Sequence, residues 1–306
     1  MSSFACQNRA MFPTKFLLCL IFQGLLLHAA SSTEPLKAMT WNIKWFPGGF
    51  QEATKADKTE HIKAASLIVE KAKPDIFLAQ EIRDEKAFRN LIKNNPAIKL
   101  HILTKFLEFD GKTPSPQQCA IASKLELHSG WQESFKSTKK LPGLQRGFAF
   151  AALKHPDGGL IMVYSIHLRS NRGSENPEEA KKIAATRAES VRQIIAHKNE
   201  MIKKFSREKI VGWLIGGDFN TNHDGQFPLC NAINDMVKAG FHNTWNTTPQ
   251  KDRITWRNNP RFEDFKPTTF DYIFTSGFTK NQAIIVPNVS LKVSDHAPVI
   301  LNLSVP

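Results

Sequence analysis

Six short runs carry the side chains that could do chemistry. They are Thr40-Trp41-Asn42, Gln80-Glu81, Ser165-Ile166-His167-Leu168, Gly217-Asp218-Phe219-Asn220, Phe270-Asp271-Tyr272-Ile273 and Ser294-Asp295-His296-Ala297-Pro298. In each, the polar residue ends or follows an apolar stretch. One such run alone is ordinary surface loop, but the set supplies each part that hydrolysis of a phosphate ester needs. A phosphodiester repels a nucleophile by its negative charge, and its transition state gathers charge on the non-bridging and leaving oxygens. A hard cation such as Mg2+ or Mn2+ neutralises that charge and asks for oxygen ligands. Glu81 and Asp295 can supply them, with Asn42 near the metal or the phosphate. An attacking water must lose a proton, a task suited to a histidine that a carboxylate orients and charges. His296 fits that role, with Asp271 as its partner. Asp218 and Asn220, two apart in an extended segment, would point the same way and orient water and phosphate. His167 would give a proton or a hydrogen bond to the phosphate oxygens.

This ordered set resembles the endonuclease/exonuclease/phosphatase superfamily, which includes pancreatic deoxyribonuclease, abasic-site endonucleases, sphingomyelinases and inositol polyphosphate phosphatases. The resemblance covers residues 38 to 304. Gly-Asp-Phe-Asn followed by a terminal Ser-Asp-His is specific for the superfamily, not for one substrate. It implies an α/β four-layer sandwich: two packed mixed β-sheets flanked by helices, with the site at one rim of the sheets. Gln80-Glu81-Ile82-Arg83-Asp84 resembles the deoxyribonuclease run whose arginine approaches the DNA minor groove, making Arg83 a candidate substrate contact. His167 also resembles that branch and the sphingomyelinases, whereas abasic-site enzymes tend to place a tyrosine motif there. Inositol phosphatases tend to carry Cys-Asp-Arg where this chain has Phe270-Asp271-Tyr272. The run from His167 to Asn171 resembles one common in secreted bacterial members. Two departures stand out. A glutamate orients the first catalytic histidine of deoxyribonuclease, and the nearest match here is Gln145, whose amide can orient an imidazole without favouring its cation. That enzyme's structural cysteine pairs have no counterpart.

These side chains need strands to hold them. Apolar runs predict strands over 38–45, 75–80, 119–123, 147–153, 160–167, 211–215, 269–275 and 298–303. Asp57-x-x-Glu60 reads as a helix start with Asp57 as cap; Ile62, Ala65, Val69 and Ala72 follow at helical spacing, and Pro74 ends it. Asn176 caps a long helix, with Pro177 in its first position, Glu178 and Glu179 in its first turn, and an apolar face of Ile183, Val191, Ile194, Ile195, Ile202 and Phe205. Alternating strands and helices indicate an α/β protein, and polar residues gather where strands end, where open sheets place their sites.

The 306 residues suffice for a sizeable core, and 41% hydrophobic with 23% charged residues excludes a disordered chain. Residues 1–32 read as a secretory signal peptide: Arg9 and Lys15, a short apolar run over 16–27, then Ala29, Ala30, Ser31 and Ser32, with Met11 an alternative start. The catalytic domain spans 36–306 without repeat or linker. The net charge is +13, and removing residues 1–32 takes Arg9 and Lys15 with it and leaves +11. Such a charge favours polyanionic partners. Cys119 and Cys230 would remain, with no zinc-like spacing. Over 251–266, Lys251, Arg253, Trp256, Arg257, Arg261, Phe262 and Phe265 interleave charge and rings. This makes Arg253, Arg257 and Arg261 candidate phosphate contacts, although Asp252, Glu263 and Asp264 also suit a solvated loop. Trp41, Trp45, His61, His101, His128, His155, His197, His223 and His242 read as packing or surface residues. The expectation is a secreted or periplasmic metal-dependent phosphodiesterase acting on DNA or RNA, monomeric, with no obligate protein partner. The alternatives are a hydrolase of phospholipid head groups or sugar phosphates, and a non-catalytic binding protein or toxin subunit. The intact constellation argues against the last.

Overall fold

The computed structural model describes residues 34–108, 110–141, 144–257 and 266–305. The signal-peptide expectation and Arg261 lie outside the described residues. Strand β1 (Leu36–Phe46) sets the layering by its period of two. Ala38 enters the core between two sheets, while Met39, Trp41 and Ile43 enter a second core under helices. A strand buried on both faces reads as a continuous apolar run, as its sequence does. The chain then forms α1 (Lys55–Ala72), β2 (Ile76–Ile82), α2 (Glu85–Ile92), β3 (Lys99–Leu103), β4 (Gln118–Ser123), β5 (Leu127–Ser134), β6 (Gly147–Lys154) and β7 (Leu160–His167). It continues with α3 (Pro177–Lys204), β8 (Ile210–Asp218), α4 (Ala232–Lys238), β9 (His242–Asn243), β10 (Asp271–Ser276), β11 (Ile284–Ile285) and β12 (Val299–Leu303).

The strands form two mixed six-stranded sheets, β11-β12-β1-β2-β4-β3 and β5-β6-β7-β8-β10-β9. Val69 of α1 and Phe88 of α2 share a core with Met39 and Phe77 on the outer face of the first sheet. Helix α3 covers the outer face of the second, where His197 meets the Tyr164 hydroxyl at 2.9 Å. The result is the expected four-layer sandwich. Between the sheets, a Cβ on Gly216 would lie 2.6 Å from Leu78 Cδ1, so a larger residue there would have to displace the Leu78 side chain.

Each sheet contains one parallel pair, β1 with β2 and β7 with β8. Parallel neighbours need a crossover, which α1 and α3 provide. All four of these strands therefore end at one rim, and the antiparallel β10 and β12 begin there.

Helix starts differ from expectation in one case. Thr54, not Asp57, caps α1: Thr54 Oγ1 accepts from Asp57 N (3.2 Å) and the Asp57 carboxylate accepts from Thr54 N (2.8 Å). Asp57 is the third residue of a reciprocal capping box. Asn176 caps α3 as expected, accepting from Glu178 N and Glu179 N. Ile202 of its proposed apolar face is exposed, while Arg187, His197 and Met201 are buried. Cys119 and Cys230 are buried free thiols. No described helix is long and apolar enough to cross a membrane.

Candidate active site

Strand register assembles the site. His167, Asp218 and Asp271 are direct partners across β7, β8 and β10, so their side chains leave the sheet in one row. Asp271 Oδ2 lies 2.8 Å from His296 Nδ1. Thr255 Oγ1 accepts from Asp271 N (3.0 Å) and Trp245 Nε1 donates to Asp271 O (2.9 Å), fixing the carboxylate's backbone. His296 is held from the other side: its N donates to Ser294 Oγ (3.0 Å), its carbonyl accepts from Trp41 Nε1 (3.1 Å), and Ser294 Oγ donates to Asn42 O (2.8 Å).

From the first sheet, Asn42 reaches across. Its Nδ2 donates to Glu81 Oε1 (3.1 Å) and to Asp218 Oδ2 (3.0 Å), and its Oδ1 accepts from Lys44 N (3.0 Å). Gln80 pairs with Asn42 in register, which would send Glu81 to the opposite face. A bulge and a left-handed backbone at Glu81 (φ 60°) turn that side chain back to the site, where Trp45 N donates to Oε2 at 2.7 Å. Gln80 instead ties the sheets together, donating to Ser165 Oγ (3.1 Å). His167 Nε2 stands 3.4 Å from Asp218 Oδ2 and 3.9 Å from Glu81 Oε1.

Burial and charge set the proton affinities. Burial disfavours a His296 cation, but Asp271, Asp218 and Asp295 outweigh it and raise the imidazole to about 10. Burial, reinforced by Asp271, lifts Asp218 to about 7 against the pull of His296. Burial, with Arg146 and His296 nearby, holds His167 well below the usual histidine range. It is therefore a neutral hydrogen-bonding group at ordinary pH. Among the described residues its buried Nδ1 has no hydrogen-bond partner, so Gln145 does not orient it.

Other expectations are corrected. Asn220 is not in an extended segment: its φ of 52° turns the chain, its N donates to Asp218 Oδ1 (2.8 Å), and its Nδ2 donates to Leu168 O (3.2 Å). It shapes the loop beside Asp218, and the strand geometry that predicted a shared face ends before it. Arg253 is buried, with both terminal nitrogens on the Asp224 carboxylate and Nε on Thr248 O (2.9 Å), so it is internal and not a substrate contact. Arg257 donates to Val289 O and to Ser294 O (2.9 Å), bracing the loop that carries Asp295 and His296. Arg83 is exposed but pairs with Asp84 at 2.7 Å. Asp295 sits at the edge of the network, 3.7 Å from Lys44 Nζ.

Sequence reasoning missed Lys44, Thr255, Trp245, Arg146 and Arg187. Arg146 donates to the carbonyls of His167 and Leu168. Arg187 donates to Asn171 Oδ1 (2.7 Å), and Asn171 in turn to Asn220 O (2.8 Å), carrying support from α3 to the Asp218 loop. Arg187 lies four residues from both Ile183 and Val191. A charge on an apolar helix face was the available signal.

A family model, the endonuclease/exonuclease/phosphatase family, matches residues 39–296, which contain this whole network. The chain belongs to that family. Its members are metal-dependent phosphoric ester hydrolases, and so is this chain. A search of the curated proteins finds no match. Among solved structures it is similar to truncated TDP2 of Caenorhabditis elegans, at 17% identity and TM-score 0.63 over 88% of this chain and 97% of that one. An endonuclease/exonuclease/phosphatase from Bacteroides vulgatus aligns at 14% identity and TM-score 0.64, over 90% and 100% of the two chains. A mannosyl-6-phosphatase of Bacteroides thetaiotaomicron aligns at 16% identity and TM-score 0.59, over 88% and 99%. At such identities these likenesses speak for the fold.

The donor set fits the metal that this family uses. Glu81 and Asp218 place carboxylate oxygens around one Asn42 amide, and burial together with Asp271 makes Asp218 hold its proton more tightly than usual. Among the described residues, Asp218, Asp271 and His296 also bring ligand-type atoms within 4.8 Å of one another. That trio includes a carboxylate already engaged by His296, so it reads as a proton-handling group. The oxygens of Glu81 and the Asn42 amide oxygen accept from neutral amide donors only, and they make up the remaining oxygen set.

Proposed function

We propose that the protein is a phosphodiesterase of nucleic acid, with Mg2+ or Mn2+ held at Glu81, Asn42 and Asp295. The observation that carries this reading is the buried Asp271–His296 pair at 2.8 Å facing Asp218, with His167 on the other side of that carboxylate. Asp271 fixes the imidazole through Nδ1 and leaves Nε2 toward Asp218, 3.8 Å away; neighbouring carboxylates that hold a cation would grip the ring's proton less tightly, and Nε2 could then deprotonate a water. Asp218 and Asn42 would orient that water and the phosphate. A neutral His167 would offer a hydrogen bond to a phosphoryl oxygen. The cation, when bound, supplies neutralisation of charge on the phosphoryl oxygens. The net charge, +13 for the whole chain and +11 without residues 1–32, supports a polyanionic substrate. Arg83 remains the exposed candidate contact, while Arg253 and Arg257 no longer support the reading and Arg261 lies outside the described residues. The Arg9, Lys15 and apolar N-terminal pattern supports export to a secreted or periplasmic location, which N-terminal sequencing of the mature protein tests.

The deciding experiment incubates the purified protein and Mg2+ with plasmid DNA, RNA, sphingomyelin and mannose 6-phosphate in separate reactions. Cleavage of either polymer is expected. Turnover of sphingomyelin or the sugar phosphate with both polymers intact would overturn the nucleic-acid reading and leave the family and its site standing.

A further inference from the structure

Beside the carboxylates opens a cleft of about 880 Å3, between the segment after β1, the start of α1 and the residues before Ser294. It shares two residues with the active site. Lys44 Nζ is 3.7 Å from Asp295, and Trp45 donates its N–H to Glu81 while its half-buried side chain lines the cleft. Both residues hold a left-handed backbone (φ 44° each), uncommon for consecutive non-glycine residues and of a kind that gathers at functional sites. That turn aims one residue's backbone at the carboxylate and its ring at the cleft.

We propose that this cleft seats an unpaired nucleobase next to the phosphate being cleaved, an assignment that rests on the nucleic-acid reading above. The volume lies in the range of roughly 300–1,000 Å3 typical of small-ligand sites. The lining offers three kinds of contact. Trp45 and Phe50 present rings, and Phe50 is 50% exposed. Glu52 and Glu60 present exposed carboxylates that pair with no cation among the described residues. Lys44 and Lys292 present ammonium groups. Rings stack on the π-face of any base. Carboxylates accept hydrogen bonds from exocyclic amino groups, as with cytosine N4. Lysine at the shared wall suits the adjoining phosphate. A second phosphate in the cleft would meet Glu52 and Glu60, and an acyl chain would bury charges of both signs. A planar base with amino groups uses all three kinds. Because a base in a duplex cannot enter, single strands should be preferred to duplex of the same sequence.

The test measures binding apart from cleavage. Calorimetry in chelator gives Kd for dinucleoside monophosphates of cytidine and of thymidine, with phosphocholine and mannose 6-phosphate as other occupants. Phe50→Ala should raise the dinucleotide Kd about ten-fold, the order of one lost base–aromatic stack. Glu52→Gln with Glu60→Gln should erase the preference for cytidine over thymidine. Mn2+ affinity, measured separately, should match wild type, so that a damaged metal site is not mistaken for a lost base contact. If wild type cuts neither DNA nor RNA while dinucleotide binding still depends on Phe50, the nuclease reading falls and the cleft assignment stands. Absent dinucleotide binding, equal Kd in wild type and Phe50→Ala, or Phe50-dependence confined to phosphocholine or mannose 6-phosphate, overturns the assignment.

Discussion

Asp271→Asn removes one charge from the site and almost no volume. The Asp271 backbone is clamped by Thr255 and Trp245, so the amide will stand where the carboxylate stood. What it loses is the charge 2.8 Å from His296 Nδ1, in a fully buried setting. At that separation and an effective dielectric constant of about 20, one pair of unit charges interacts by about 6 kcal/mol. This is a ceiling on what Asp271 can add to a proton-accepting His296. Loss of general-base function costs about 10²–10⁴ in rate, or about 3–5 kcal/mol of barrier, which fits beneath the ceiling. The assay is kcat on a chromogenic phosphodiester at saturating Mg2+ for Asp271→Asn, His296→Ala and the double variant. Residues acting as a unit are non-additive, so the double variant should match His296→Ala to within about three-fold. Two results refute the reasoning: Asp271→Asn within about three-fold of wild type, or a double variant whose loss is the product of the two single losses.

Three further outcomes are expected. Chelator should abolish turnover and Mg2+ restore it, since Glu81 and Asn42 offer oxygen donors and the site has no cysteine; full activity in excess chelator contradicts the metal assignment. Arg253→Ala should lower the unfolding free energy in urea by at most about 3–5 kcal/mol, the cost for a fully buried pair, by leaving half-buried Asp224 without its partner, while the salt dependence of DNA binding stays as in wild type. An unchanged stability would return Arg253 to the list of substrate contacts. Burial holds His61 down to about 4, and its Nδ1 accepts from Gly48 N at 2.8 Å. Between pH 6.5 and 4 the unfolded chain therefore binds a proton that the folded ring refuses, so this contribution is complete above pH 6.5 and lost on acidification. Between pH 7.5 and 5 it should cost about 2 kcal/mol. The urea midpoint of His61→Gln should fall less over that interval than wild type, and an equal fall would mean the ring is not held neutral.

Strands were legible in the sequence wherever burial on both faces made an unbroken apolar run. β7 runs from Leu160 to His167 as read, and β1 and β8 each extend the expected span by a few residues. The half-exposed β3 and β5 lack such a run, and β9 and β11 have two residues each, too few to show a period. The candidate site residues were legible because each lies at or near the end of a buried strand, and one rim collects the ends of the parallel pairs and the starts of β10 and β12. The backbone departures were not legible. Nothing in the composition of Gln80-Glu81 announces that Glu81 adopts a positive φ, yet without that turn it would face away from Asn42. Asn220 carries the same lesson: spacing of two predicts a shared face only while the strand continues, and β8 ends at Asp218.

The arginines show why charge is read less well than hydrophobicity. Arg253 and Arg257 lie in a segment rich in rings and cations, the pattern of a nucleic-acid contact, and both turn inward. Arg187 lies on the apolar face of α3, where a charge was not expected, and it is buried and bonded to Asn171. A guanidinium offers five donors in a fixed fork and binds carbonyls and carboxylates of the same protein as readily as phosphates. Which partner it takes is set by acceptors distant in sequence: Asp224 for Arg253, Ser294 O for Arg257, Asn171 for Arg187. The inward turn of Arg257 is also functional, since its grip on Ser294 O holds the residue whose hydroxyl accepts from His296 N and donates to Asn42 O. A cation expected to hold the substrate thus holds the loop that joins His296 to Asn42.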